Sequence, residues 1–76
     1  MIKEHDRVIL TEAIEEQGLE PGDIGAVVYV HGEGVAYEVE FVTLDGVTTA
    51  ILELESYQVR PAAEREIPHA RSLTAA

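Results

Sequence analysis

The sequence predicts an all-β domain, with five strands rolled into a small barrel. Three observations carry that expectation. Ala36–Leu54, AYEVEFVTLDGVTTAILEL, is two apolar-rich runs joined by Asp45-Gly46. That dipeptide is the strongest short-range hairpin signal, because a type I′ turn needs positive φ at both central positions. Ile24–Val30, IGAVVYV, is a further alternating run that meets the first across a glycine-rich turn. Finally, 76 residues hold one domain, and a curved sheet of that size loses its exposed edges by closing on itself.

Asp6–Thr11, DRVILT, is the first strand. Val8 and Leu10 share one face. Ile9 takes the other, so either both faces are partly covered or Ile9 lies under the tail. Glu12–Asp23, EAIEEQGLEPGD, is a long acidic connection. Ala13–Gln17 suits one helical turn ended by Gly18 in the left-handed position, and Pro21-Gly22 turns the chain into the next strand. Ile14 and Leu19 are its apolar anchors. A loop this long is usually functional or packed on itself.

The second strand, Ile24–Val30, puts Ile24, Ala26, Val28 and Val30 on one face and Gly25, Val27, Tyr29 and His31 on the other. Gly25 inside a strand signals a bulge, a tight bend or the close approach of another backbone. A Gly32-Glu33 type II′ turn would place Val30 opposite Val35, Val28 opposite Tyr37 and Ala26 opposite Val39. The GEG glycines join two strands, whereas a phosphate cradle opens a helix.

A turn at Asp45-Gly46 pairs Leu44 with Val47, Phe41 with Ala50, Val39 with Leu52 and Tyr37 with Leu54, all facing the core. The opposite face pairs Val42 with Thr49, Glu40 with Ile51 and Glu38 with Glu53. A slip of one residue would bury the glutamates, so the register is well specified. Glu55–Gln58 breaks the alternation as a short 3₁₀ turn, and Val59 begins a last strand that Pro61 stops. The barrel is expected over residues 1–61. Residues 62–76 form a C-terminal tail that is helical, docked or frayed. This order of elements resembles an SH3-like barrel.

Composition narrows the function. The formal net charge is −10, and between Arg7 and Arg60 there is no basic residue while Asp and Glu recur eleven times. Such a body repels phosphate, so nucleic acid is not an expected partner except through Arg60, Arg65 and Arg71. An acidic surface instead speeds encounter with basic proteins. The chain has no cysteine and no spaced Cys/His cluster, so neither a disulfide framework nor structural zinc is expected. A core this small makes homodimerisation the ordinary remaining way to enlarge it. No apolar run follows a basic N-terminal segment and none is long enough to span a bilayer, so the expected compartment is the cytoplasm, without membrane attachment.

No nucleophile, metal motif or acid–base pair in a pocket stands out, so no catalysis, cofactor or metal is expected. His31 reads as a solvated histidine at a hairpin rim. The candidate contact residues are Tyr29, Glu38, Glu40, Glu53 and Glu55. Tyr29 points outward beside Val27 and Ala36, and outward aromatics are enriched at binding hot spots. The alternatives are that the tail covers Tyr29 through Ile67 or Leu73, and that the glutamates only keep the protein soluble. The Glu12–Asp23 loop, with five acids and no base, is the other candidate surface.

DRVILTE, GLEPGDIGAVVYV, AYEVEFVTLDG and QVRP carry a resemblance, from Asp6 through Pro61, to a family of small bacterial proteins classed as a domain of unknown function. The GDxGxVV run followed by YEVEF is also similar to the SH3-like barrels of the nitrile hydratase beta subunit and of KOW-type domains. The family resemblance implies an antitoxin or immunity-type role, since such proteins look like partners encoded beside toxins. The nitrile hydratase resemblance implies a structural or assembly subunit of a larger enzyme. The expectation is a non-catalytic acidic module that binds or escorts a basic protein.

Overall fold

The computed structural model describes residues 1–73. The chain is all-β, with β1 (Arg7–Leu10), β2 (Ile24–His31), β3 (Ala36–Val42), β4 (Thr48–Glu55) and β5 (Val59–Pro61), and 3₁₀ turns at Glu15–Gln17 and Ser56–Gln58. All neighbouring strands are antiparallel in one sheet of order β4-β3-β2-β1-β5. The edges β4 and β5 are not paired with each other, so the sheet curls around its core without closing. The expected barrel is therefore an open one, and SH3-like describes it only approximately.

The inner face carries the core. Val8, Leu10, Val27, Tyr37, Val39, Phe41, Leu54 and Val59 are buried there, joined by Leu19 from the β1–β2 loop. That loop follows its sequence. Gly18 ends the 3₁₀ turn at φ 71°, and Ile14 bridges to Leu19, so the loop closes on itself and caps one end of the sheet.

In the β3–β4 hairpin the expected pairs Tyr37–Leu54, Glu38–Glu53, Val39–Leu52, Glu40–Ile51 and Phe41–Ala50 all form. The turn is different. Gly46 N–H donates to the Thr43 carbonyl at 2.8 Å and Thr43 N–H to the Val47 carbonyl at 2.9 Å. Gly46 alone takes positive φ, so Leu44, Asp45 and Gly46 form a three-residue loop instead of a type I′ turn. A bulge then pairs Val42 with Thr48 and Phe41 with Ala50. Thr49 is the extra residue, and it restores the register that the longer turn displaces. Leu44 is left 93% exposed and Val47 also faces solvent, against the expected core pair.

The β2–β3 hairpin departs further. Four residues, Gly32–Val35, separate His31 from Ala36, so Val30 pairs with Tyr37 and Tyr29 with Glu38. A bulge between Val27 and Tyr29 then pairs Val27 with Val39 and Ala26 with Glu40. The faces of the first half of β2 are thus the reverse of the expected ones. Val27 is fully buried and Val28 is exposed. Gly25 explains the reversal, because its position faces Val39 and Phe41. A Cβ there would lie 2.4 Å from Val39 Cγ1 and 2.9 Å from Phe41 Cε1. Only a residue without a side chain leaves Phe41 room to pack.

Candidate functional site

Cross-strand partners in an antiparallel sheet point to the same face. The outer face therefore follows from the register as a set of rows. Tyr29, Glu38 and Glu53 form one row across β2, β3 and β4. His31, Ala36 and Glu55 form the next row toward the β2–β3 turn, and Ala26, Glu40 and Ile51 the next in the other direction. All five sequence-predicted contact residues thus lie on one face of three adjacent strands.

In the middle row Tyr29 is 50% exposed; its chain neighbour Val28 also exposes apolar surface, as does Ile51 in the adjoining row two strands away on β4. Val28 takes the place expected of Val27, because the bulge turns it out. Ala36 is buried and adds nothing to the patch. The glutamates rim it. Glu53 and Glu55 are exposed, while Glu38 and Glu40 are half-buried and engaged by neighbours. Thr48 Oγ1 donates to Glu40 Oε2 at 2.6 Å.

His31 is not a freely solvated rim histidine. Its Nε2 lies 2.9 Å from Glu38 Oε2, and a carboxylate only accepts, so the proton is on Nε2. The His31 ring meets Tyr29 edge to face at 4.8 Å between centroids. Tyr29, His31 and Glu38 therefore brace one another. The sequence reading missed this because a four-residue loop, instead of a two-residue one, is what brings residue 31 beside residue 38.

The other half of the outer face belongs to the tail. Residues 62–73 form neither strand nor helix. Arg60 grips Glu66 with two parallel bonds of 3.0 and 2.6 Å. The Arg60 guanidinium, helped by the Ala63 N–H, holds the Glu66 carboxyl down at about 2. Farther on, Arg71 bonds Asp23 with both ends of its fork. Burial pushes the Asp23 carboxyl up, but the bonds from Arg71 and from the Glu20 N–H, with the Arg71 charge, together bring it below its ordinary value. Between these pins Ile67, Pro68 and His69 border a groove with Ile9 and Ile24. That answers what covers Ile9, which is buried although it faces away from the core cluster. Among the described residues the tail does not cover Tyr29: Ile67 lies beside Ile9 and Ile24, and Leu73 borders a groove with Leu19, Ile24 and Phe41.

Among the described residues no group of three or more His, Asp or Glu side chains is placed to hold a metal ion. No helix among them is long and apolar enough to cross a membrane. Residues 4–61 match the family described as Domain of unknown function (DUF4926). No curated protein and no solved structure matches the chain.

Proposed function

We propose that this chain, which belongs to the DUF4926 family, is a non-catalytic protein-binding module whose open outer half docks a basic protein. The observation that carries this reading is the Tyr29–Glu38–Glu53 row, an exposed aromatic set among carboxylates on rigid neighbouring strands. A Tyr ring braced by His31 loses little freedom on binding, which is the property of an anchor. The surrounding glutamates attract a basic surface before contact and fix its orientation. The antitoxin, immunity-type or escort role is the form this takes when the partner is a basic toxin or enzyme encoded nearby.

Nucleic-acid binding is the weaker reading. It relies on the C-terminal arginines, and Arg60 and Arg71 are already held by Glu66 and Asp23. Service as a subunit of a larger enzyme would use the same Tyr29 face, and the same experiment separates it.

The test is binding of the basic product of a gene adjacent in the host, by calorimetry with the wild type, Y29A and E53K. The expected result is a complex that Tyr29→Ala weakens about tenfold or more, the loss of one anchor. Glu53→Lys slows association, and 0.5 M salt does the same. A neighbouring protein that binds all three variants equally places the interface elsewhere. If the partner proves to be an enzyme inactive without this chain, the subunit reading replaces the antitoxin one.

A further inference from the structure

The β1–β2 loop holds an arginine in a site that the loop builds alone. Arg71 Nε donates to Asp23 Oδ1 at 2.9 Å and its Nη2 to Asp23 Oδ2. The same Nη2 donates to the Gly18 carbonyl at 3.0 Å, and Glu20 Oε1 lies 3.7 Å from Nε. The receiving groups are fixed without Arg71. Glu20 N–H holds Asp23 Oδ2 at 2.8 Å. Gly22 N–H and the Asp23 carbonyl both bond to Leu10 of β1, at 2.8 and 2.9 Å. Gly18 turns its carbonyl outward from the left-handed end of the 3₁₀ turn. A planar fork with five donors fits this arrangement, and a single ammonium does not.

Two further observations point to an occupant other than the tail. A groove of about 370 Å³ runs from this site along Leu19, Ile24, Phe41 and Val42, and the tail forms its other wall. The family match covers residues 4–61. It takes in Gly18, Glu20, Asp23 and the sheet side of the groove, and it leaves out Arg71 and the tail. The receptor belongs to the domain, and the arginine that fills it comes from outside it.

We propose that the Gly18–Asp23 loop and its groove are an arginine-reading docking site for an extended, arginine-bearing segment of the basic partner, and that the tail is a cis occupant which that segment displaces. This rests on the basic-partner reading but uses a different surface from Tyr29. The charge of the loop fits it, with five acids and no base over Glu12–Asp23. The tail supplies the template: an irregular segment with its arginine between small residues, His69-Ala70-Arg71-Ser72.

The probe is a labelled peptide of residues 66–73, EIPHARSL, titrated by fluorescence anisotropy against the full chain. Arg71→Ala vacates the site and is expected to bind the peptide. The wild type should bind about tenfold more weakly or worse, because its own tail competes at an effective concentration of order millimolar. Adding Asp23→Asn to R71A, which keeps an acceptor for the Glu20 N–H, should abolish binding. A peptide with lysine in place of arginine tests the same point without touching the loop, and should also lose binding. Adding Tyr29→Ala to R71A should change nothing, so a failure of the Tyr29 face and a failure of this site are read apart. The proposal is overturned if R71A binds no better than the wild type, if arginine and lysine peptides bind alike, or if Y29A abolishes peptide binding. Light scattering gives one more outcome against it: a wild-type dimer that R71A converts to monomer would seat the tail on a second copy.

Discussion

At Gly25 the core permits no methyl group. The nearest atoms to an added Cβ are Val39 Cγ1 at 2.4 Å, Phe41 Cε1 at 2.9 Å and the Glu40 carbonyl oxygen at 3.1 Å. Gly25→Ala should therefore destabilise by about 1–3 kcal/mol, the usual cost of overpacking, and lower the urea midpoint. An unchanged midpoint would mean that Val39 and Phe41 move aside freely. Phe41→Ala acts in the opposite sense, by opening a cavity, and should cost about 3–5 kcal/mol, much of the stability of a domain this small. Phe41, Val39, Tyr37 and Leu54 were legible as core from the period of two alone, because their hairpin keeps its register. Val27 and Val28 were not. A bulge is one residue in length and leaves no periodic trace, and the glycine that marks it names three possible causes without choosing among them.

At the scale of elements, the attachment of the tail depends on pH. Two depressed carboxyls hold it: Glu66, down at about 2 under the Arg60 guanidinium, and Asp23, lowered on balance by its hydrogen bonds and the Arg71 charge against the opposing effect of burial. A carboxyl lowered in the docked state favours docking fully above its ordinary value. That contribution is lost as pH falls through the docked value. The Ala63 amide and the Leu73 methyl resonances should thus keep docked shifts from neutral pH down to about 4.5, then move toward free-chain values by about pH 2. Shifts unchanged across that window would mean that apolar contacts alone seat the tail. The same element shows where sequence reading ends. That the tail could dock was legible, but its pairing with Asp23 spans 48 residues, and no local period encodes a contact between two irregular segments. The β3–β4 turn teaches a related point. Its loop length was misread, yet the sheet register was right, because the requirement that Glu38 and Glu53 face outward constrains the strands more tightly than Asp45-Gly46 constrains the turn.

For the whole molecule the governing quantity is the net charge of −10. Its carboxylates are crowded: Glu38 faces Glu53 directly and Glu40 and Glu55 lie in the adjoining rows. Like charges opposite each other in a ladder are unfavourable by about 0.2–1 kcal/mol, and self-repulsion of the full set opposes compaction. Against this stand the half-exposed Arg60–Glu66 pair and the more covered Arg71–Asp23 pair, which fasten the irregular tail to the domain and so add little to the stability of the sheet itself. Salt screens both, but the repulsive set is larger and acts over longer distances. Raising ionic strength from 0.01 to 0.15 M shortens the screening length from about 30 to about 8 Å, so the protein should melt higher, not lower. A relief of about 0.5 kcal/mol corresponds to roughly 2–4 °C in a domain of this size. Glu53→Gln removes the directly opposed Glu38–Glu53 pair and should reproduce part of that rise at low salt while reducing the response to added salt, read by circular dichroism melts at both ionic strengths. A melting temperature that falls with salt would mean that attractive pairs dominate the field. Retaining such repulsion on an open sheet face makes physical sense when a basic surface neutralises it on binding: the same carboxylates that lower the free domain's stability then favour the complex.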